Sequence, residues 1–193
     1  MTPEQFRDRN NRLLTPNFEI LPLTGTEFED YLWVPDAVAL SLKLDAVPEP
    51  LDLEVQEALE WLHGRELDWE EQKADDVWKR PFLIIRRATN CVVGRICFKS
   101  PPIKYRRHTE IAYDVDREER RRGVMSEALP AVIDWARARK NVDAITAETD
   151  ELNDASRRVL EKTGFKVRVD RSRRGLVSWE IRFAKLPPKR GDQ

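Results

Sequence analysis

Apolar residues in this chain alternate with polar ones in some segments and recur at helical spacing in others. Alternation, or a run of β-branched and aromatic residues, predicts strands, and helical spacing predicts helices. The predicted strands are 18–23, 82–88, 91–98, 109–115, 144–149, 165–169 and 176–183. The predicted helices begin near residue 24 and at 51–76, 123–140 and 153–164. This order predicts an α/β (α+β) fold with a mixed central sheet of about seven strands flanked by about four helices.

Capping residues and prolines refine the helix boundaries. Thr24 and Thr26 are each followed three residues later by a glutamate, so either can open the first helix with a capping box. Asn153 is a natural N-cap for the helix at 153–164. Three prolines in the stretch 34–50 predict an interrupted segment.

The domain organisation follows from the length of the chain and from the absence of an internal repeat or a flexible linker. A chain of 193 residues without an internal repeat or a flexible linker is expected to form one domain. Residues 1–15 are expected to be a flexible N-terminal segment, 16–186 the domain, and 187–193 a C-terminal tail.

Composition narrows the class of protein. Charged residues make up 36% and hydrophobic ones 40%, with a net charge of −1, so bulk charge favours neither nucleic-acid nor membrane binding. Cys91 and Cys97 lie six positions apart, which is neither CxxC nor metal-ligand spacing, so we expect reduced cysteines and no metal. The N-terminus lacks the apolar core of a signal peptide, and no apolar run is long enough to span a bilayer. A cytoplasmic location without membrane contact is therefore expected.

Nucleic-acid binding through local basic clusters is the first alternative. The clusters at 104–108, 117–122 and 171–174 lie in predicted loops or at a helix start. None of them belongs to a recognisable module with stacked aromatic residues. No nucleic-acid partner is expected.

The segment "DREERRRGVMSEAL" (116–129) carries the strongest chemical signal. A charged run before a helix is usually solvated surface, but here a strand, a short loop and a glycine at the helix start follow one another. The first N–H groups of a helix lack partners and favour anions, glycine permits close approach, and arginines add charge-assisted hydrogen bonds. The GxGxxG and GxxxxGK[ST] patterns are absent, which argues against a dinucleotide fold and a P-loop.

The same residues resemble motif A of the GNAT N-acetyltransferases, [QR]-x-x-G-x-[GA] after a strand that ends in valine. Arg120, Gly123 and Met125 stand at the three defined positions, and Met125 departs from the glycine or alanine of the pattern. The stretch 145–165 is similar to the next family segment, a strand followed by N-x-x-S-x-x-x-L-x-x-x-GF. The opening at 18–32 resembles the branch that includes the ribosomal-protein alanine N-acetyltransferases.

The resemblance implies a GNAT domain that moves an acetyl group from acetyl-CoA directly to a primary amine, without a metal. It assigns the pyrophosphate to the backbone from Arg121 through Ser126 and to arginine side chains, the thioester carbonyl to a backbone N–H at Tyr113–Val115, and the pantetheine amides to Asn153. The implied acetyl-CoA residues are Tyr113, Val115, Arg120, Arg121, Arg122, Gly123, Val124, Met125, Ser126 and Asn153.

Catalytic candidates are fewer. Glu110 is the first candidate for the base that deprotonates the amine, with His108 and Asp114 next, although Glu110 could instead pair with Arg106 or Arg107. The sequence departs from the family at Leu160, where many relatives carry a tyrosine. Ser156 is then the nearest hydroxyl, one turn earlier, that could hydrogen-bond the departing thiolate.

The acceptor is defined least. Residues 51–76 contain ten acidic side chains, and in relatives this region borders the acceptor cleft, so a cationic amine would fit: a protein N-terminus, an amino acid or another small amine. A solvated helix face is the alternative. The competing functions are a non-catalytic GNAT-fold module that binds CoA or a peptide, and an acyltransferase with a different acyl donor. A monomer and a homodimer are both compatible with the sequence.

Overall fold

The computed structural model describes residues 12–67, 77–102, 107–139, 141–171 and 174–183. Within them, eight strands form one mixed sheet in the order β1-β2-β3-β4-β5-β6-β8-β7. The strands are β1 Leu13–Leu14, β2 Phe18–Pro22, β3 Phe82–Arg86, β4 Cys91–Phe98, β5 His108–Val115, β6 Ala144–Asp150, β7 Lys166–Val167 and β8 Leu176–Arg182. The helices are α1 Gly25–Trp33, α2 Pro35–Leu42, α3 Leu53–Leu67, α4 Val124–Arg137 and α5 Asp154–Lys162. The predicted α/β fold with a mixed central sheet is confirmed.

Two elements were not expected, which accounts for eight strands and five helices instead of about seven and about four. Leu13 and Leu14 pair with Ile20 and Glu19 of β2, so the expectation of a loose segment 1–15 is wrong for these two residues. The other is α2, in the stretch that we expected to be interrupted. Pro35 lies in the first turn of this helix, where a missing N–H costs no hydrogen bond.

The start of α1 shows how local sequence sets a boundary. Thr24 accepts a hydrogen bond from the backbone N–H of Glu27, and the Glu27 carboxylate accepts one from the backbone N–H of Thr24. The capping box therefore uses Thr24, not Thr26. In the predicted helix 51–76, the structure describes Leu53–Leu67 as helical, and residues 68–76 lie outside the described residues.

Helices cover both faces of the sheet. On one face, α4 and Leu160 of α5 pack on strand residues such as Phe82 and Ile111 in the larger buried cluster. On the other face, α1, α2 and α3 pack on Leu83 and Ile85 in a second cluster. Because successive strand residues point to opposite faces, Ile111, Tyr113 and Val115 face α4 and α5, whereas Glu110 and Asp114 face the other layer.

Two smaller expectations can be compared with the structure. Both cysteines are free thiols. None of the helices in the described ranges combines the length and the hydropathy that are needed to cross a bilayer.

Candidate active site

A gap opens between β5 and β6, the only parallel pair of neighbouring strands among the residues that the structure describes. β5 and β6 pair at His108–Ala144, Thr109–Ile145 and Glu110–Thr146, and their pairing ends there. Beyond this point, β5 stays paired with β4 as far as Val115, and β6 stays paired with β8 as far as Asp150. The two strands therefore diverge into a V whose sides are the ends of β5 and β6.

The backbone of β5 presents hydrogen-bonding groups to this V. In an antiparallel pair, alternate residues bond to the neighbouring strand, and the residues between them point the other way. Lys99 N donates to Glu110 O, and Asp116 N donates to Val93 O, so the even-numbered residues of β5 bond to β4. The N–H and C=O groups of Tyr113 and Val115 consequently point into the V.

A cavity of about 770 Å³ lies at the open end of the V. It is bounded by the end of β5, the loop before α4, the first turn of α4 and one side of α5. Its lining includes most of the residues that the sequence assigned to acetyl-CoA. These are Tyr113, Val115, Arg120, Arg121, Gly123, Val124, Met125, Ser126 and Asn153. Ser156 lines the same cavity.

The loop before α4 is shaped to receive an anion. Arg121 and Gly123 both have a positive φ, 66° and 78°, and Gly123 is the N-cap of α4 without a side-chain cap. The first intrahelical bond runs from Glu127 N to Gly123 O. The N–H groups of Val124 and its two successors therefore lack intrahelical partners. They lie beside the cavity, at the positive end of the helix dipole. Successive backbone N–H groups around left-handed residues form an anion-binding concavity.

The arginine side chains differ from the expectation that all three help to hold pyrophosphate. Arg120 donates from Nε to the Val115 carbonyl at 2.9 Å, and its Nη2 lies 3.3 Å from Asp52 and 3.5 Å from Asp114. Its guanidinium is therefore engaged by a carbonyl and two carboxylates. Arg122 does not line the cavity and lies 3.5 Å from Glu119. Of the three side chains, that of Arg121 is exposed and lines the cavity without a described ion pair.

Two cations that sequence reasoning missed line the opposite wall. Arg158 and Lys162 lie one turn apart on α5, on the side that faces the cavity. Val159 lies one turn from both Ser156 and Lys162, and Arg158 lies one turn before Lys162, and this spacing was the signal that could have found the two cations. Together with the loop before α4, these two positive charges favour binding of a multiply charged anion in the cavity.

The end of β5 is held by a buried ion pair. Arg95 is 4% exposed and pairs with the Asp116 carboxylate, and its Nη1 lies 3.7 Å from Asp114. Asp116 also donates its backbone N–H to Val93 O at 3.1 Å. These contacts fix the point at which the chain leaves β5 and turns toward the loop.

The three candidate bases lie at different places along β5. Glu110 does not line the cavity and pairs with Lys99 across β4 and β5. The alternative partner that we considered, Arg107, lies 3.0 Å from Asp143 instead, and Arg106 lies outside the described residues. Asp114 lines the cavity, whereas His108 begins the strand, away from it.

Hydroxyl groups meet where β5 faces α5. The Tyr113 phenol oxygen lies 2.7 Å from Ser156 Oγ. Burial raises the pKa of the Tyr113 phenol, and the hydrogen bond with Ser156 opposes part of that rise. Asn153 caps α5 by accepting a hydrogen bond from Ser156 N at 3.0 Å. A ligand contact by Asn153 would therefore come from its NH₂ group.

Cys97 lies on the other face of the sheet, against the second buried cluster. Burial raises the pKa of Cys97 to about 11, so this side chain is a neutral thiol near neutral pH. Among the described residues, no group of three or more metal-binding side chains is close enough to hold an ion.

Comparisons with known proteins agree with this geometry. The Acetyltransferase (GNAT) domain family matches residues 17–166. The N-acetyltransferase YjdG of Bacillus subtilis (strain 168), itself described as uncharacterized, is 32% identical over 93 residues, which is 48% of this chain and 52% of that protein. The chain thus spans about half the length of this curated relative.

Solved structures share the fold at low sequence identity. The ribosomal-protein-S5-alanine acetyltransferase from Vibrio fischeri has a TM-score of 0.63 at 15% identity, over 92% of this chain and 99% of that one. The ribosomal L7/L12 alpha-N-protein acetyltransferase RimL, in complex with coenzyme A, has a TM-score of 0.59 at 15% identity, over 89% and 98%. An acetyltransferase from Bacillus anthracis has a TM-score of 0.55 at 18% identity, again over 89% and 98%. Since the family match covers most of the sequence, this chain belongs to the GNAT acetyltransferase family.

Proposed function

We propose that this protein is an N-acetyltransferase that moves the acetyl group of acetyl-CoA to a primary amine by direct attack in a ternary complex. The observation that carries the proposal is the V between β5 and β6, which leads into a cavity lined by the loop at Gly123, whose shape suits an anion. A volume of about 770 Å³ lies within the usual range for a ligand or cofactor site.

Several contacts support binding of the donor along this V. The loop from Arg121 through Ser126 offers backbone N–H groups to a pyrophosphate, and Arg121, Arg158 and Lys162 supply positive charge around it. The groups of Tyr113 and Val115 that point into the V would pair with the amides of a pantetheine arm, much as a neighbouring strand would. The NH₂ group of Asn153 would donate from the opposite wall.

The chemistry then divides among positions along the V. The amine nitrogen attacks the acetyl carbonyl carbon, and a backbone N–H of β5 stabilises the charge that develops on the carbonyl oxygen. Because the Arg120 guanidinium already bonds to the Val115 carbonyl, the groups of β5 left for the donor are the Tyr113 carbonyl and the N–H groups of Tyr113 and Val115, and one of these N–H groups would serve the oxygen. Ser156 would hydrogen-bond the sulfur as the C–S bond breaks.

The base is assigned to the face of β5 that lies opposite α4 and α5. Glu110 and Asp114 share this face, and the amine would approach from it. Glu110 belongs to the last residue pair of β5 and β6, at the closed end of the V, and Asp114 lines the cavity. Either carboxylate could take the proton directly or through one water molecule.

A cationic acceptor is favoured by the same layer. The helix α3 and the Asp52 that precedes it carry five of the ten acidic residues of the segment 51–76. Trp61 on this helix is 51% exposed, which leaves an aromatic surface beside the acidic one. We propose a protein N-terminus, an amino acid or another small amine as the acceptor class.

A turnover assay tests this proposal. Thiol release from acetyl-CoA is followed with peptides, amino acids and polyamines, and the products are identified by mass spectrometry. We expect amine-dependent thiol release and an added acetyl group on nitrogen. Tight CoA binding without turnover on any amine would favour a binding module, and turnover only with longer acyl-CoA would favour another donor.

A further inference from the structure

The Tyr113 side chain bridges the two walls of the cavity. It extends from β5, packs its ring against the larger buried cluster and places its phenol oxygen 2.7 Å from Ser156 Oγ on α5. A second, longer contact of 3.3 Å runs from the same phenol to the Ser156 carbonyl. We propose that Tyr113 is the positioning residue of a two-hydroxyl relay, in which its phenol orients Ser156 and supplies the proton that Ser156 passes to the departing sulfur. This inference rests on the proposed acetyl transfer.

The direction of the short hydrogen bond follows from acidity. A phenol is a much stronger acid than an aliphatic hydroxyl, so the phenol is the better donor and the serine oxygen the better acceptor. Ser156 N is already engaged by the Asn153 cap, so the serine backbone is fixed while its hydroxyl rotates. The phenol has one hydrogen and two acceptors on Ser156, and in this relay the shorter contact, to Oγ, takes it, which leaves the hydroxyl hydrogen of Ser156 to point into the cavity.

The position of the pair along the V matches the place where sulfur would lie. Tyr113 stands on β5 between the last paired residue, Glu110, and the end of the strand beside the loop at Gly123. A donor held by its pyrophosphate at that loop would extend its acyl end toward the closed end of the V. The thioester sulfur would then lie beside Tyr113 and Ser156, and the acetyl group beyond it would lie beside the amine.

The proton movements balance in one step. As the tetrahedral intermediate collapses, the C–S bond breaks and its electron pair stays on sulfur. Ser156 gives its hydroxyl proton to the sulfur while it takes the phenol proton of Tyr113, and water then returns a proton to the phenolate. The thiol leaves neutral, and the base on β5 releases the proton that came from the amine, which neutralises the hydroxide left when water reprotonates the phenolate.

The sequence alone gave no sign of this pairing, because Tyr113 and Ser156 are 43 positions apart and lie on different elements. The residue that faces the same region from α5, Leu160, is fully buried in the hydrophobic cluster and offers no polar atom. A phenol from β5 therefore supplies what the helix does not.

The experiment compares Tyr113→Phe, Ser156→Ala and the double variant with two donors, acetyl-CoA and its analogue in which selenium replaces sulfur. A selenolate is a weaker base than a thiolate and leaves with less need of a proton. With acetyl-CoA, we expect each single variant to lower kcat by at least about tenfold, with CoA affinity within about twofold of the parent. The double variant should be no slower than the slower single variant, because the two hydroxyls act as a unit.

Donor dependence separates a relay from a structural role. With the selenium donor, the losses in Tyr113→Phe and Ser156→Ala should shrink to about threefold or less, whereas a merely structural defect would persist on both donors. Thr163→Val is the control at the end of α5, since the Thr163 hydroxyl bonds to the carbonyls of Val159 and Leu160 and Thr163 does not line the cavity. Equal losses on both donors, or full kcat in both single variants, would overturn the relay alone. Absence of turnover by the parent with every amine would overturn the proposed function as well.

Discussion

Gly94 and Asp114 lie closer together than any side chain at residue 94 would permit. A Cβ at Gly94 would lie 2.6 Å from the Asp114 carbonyl oxygen and 3.2 Å from the Cα of Val115. The glycine therefore allows the end of β5 to lie against β4 at the point where it borders the V. Gly94→Ala should push Asp114 and Val115 away, lower the free energy of unfolding by about 1–3 kcal/mol and weaken both CoA binding and turnover. Denaturant unfolding and a CoA titration measure the two effects.

Gly64 is the matched control. It lies within α3, and an added Cβ there meets nothing within 4 Å. Gly64→Ala should stabilise the helix by about 0.5–1 kcal/mol and leave CoA affinity unchanged. If Gly94→Ala were as stable and bound CoA as well as Gly64→Ala, the close approach would have no role in shaping the site.

The free energy of unfolding should depend on pH through Glu127 of α4. Burial alone would raise the pKa of Glu127, but hydrogen bonds from Asn17 and Thr15 outweigh it and hold this pKa below its ordinary value. A depressed carboxyl pKa contributes stability that is present above the unfolded value, near 4.3, and is lost as pH falls through the folded value. Glu127→Gln should therefore be less stable than the parent at pH 7, and the difference should shrink as pH falls below about 4.

Urea unfolding at pH 7, 5, 4 and 3 measures this difference. Asp134→Asn is the control in the same helix, because Asp134 is 68% exposed and pairs only with Arg137 at its surface. A gap between parent and Glu127→Gln that did not change with pH would show that packing, not the carboxylate charge, holds α4 to the loop at 15–17.

The unpredicted cations on α5 should matter more to CoA than Arg122. Arg158→Ala and Lys162→Ala should each weaken CoA binding by about 2–5-fold at low salt, and by less as ionic strength rises. Arg122→Ala removes the same charge from a residue that does not line the cavity, so its effect should be smaller. A titration series at two salt concentrations would contradict the assignment if Arg122→Ala were the weakest binder.

Turnover should require a carboxylate on β5. Glu110→Gln should lower kcat by about 10²–10⁴-fold while CoA affinity changes little, because the base acts on the amine and not on the donor. Turnover by the parent should rise with pH as the amine loses its proton. Asp114→Asn is the parallel variant, and a larger loss in it would move the base to Asp114. Full activity in both would exclude a carboxylate base on this strand.

Most of the fold could be predicted because the local spacing of apolar residues indicates each strand and helix. The six strands of five or more residues and four of the helices follow from the spacing of apolar residues, and the strand predicted at 165–169 is reduced to Lys166–Val167. β1 has two residues, Leu13 and Leu14, too few for a period, and its pairing depends on Ile20 and Glu19. The helix α2 was missed because Pro35 was taken as an interruption when it lies in the first helical turn.

The candidate site was predictable where backbone defines it and not where side chains compete. Gly123 marks the loop whatever its neighbours do. The Arg120 side chain is oriented by the Val115 carbonyl and by two carboxylates from different segments. Its position in the sequence, next to the loop, does not predict these partners. The meeting of Tyr113 with Ser156 is likewise a product of tertiary packing.

The central claim is that the loop at Gly123 holds the pyrophosphate of the donor. An added Cβ at Gly123 meets nothing within 4 Å, although its φ of +78° disfavours most side chains. Asn and Asp are the non-glycine residues that tolerate this conformation best, and they differ here by one negative charge. Gly123→Asn therefore controls for backbone strain, and Gly123→Asp adds a charge that would face the phosphates.

Calorimetric titration of the parent, Gly123→Asn and Gly123→Asp with acetyl-CoA is the most direct measurement. We expect the Asn variant to bind within a few-fold of the parent and the Asp variant to bind at least about tenfold more weakly than the Asn variant, which corresponds to about 1.4 kcal/mol. The weakening should decrease as salt concentration rises. Equal affinity of the Asp and Asn variants for acetyl-CoA would contradict the assignment of the pyrophosphate to this loop.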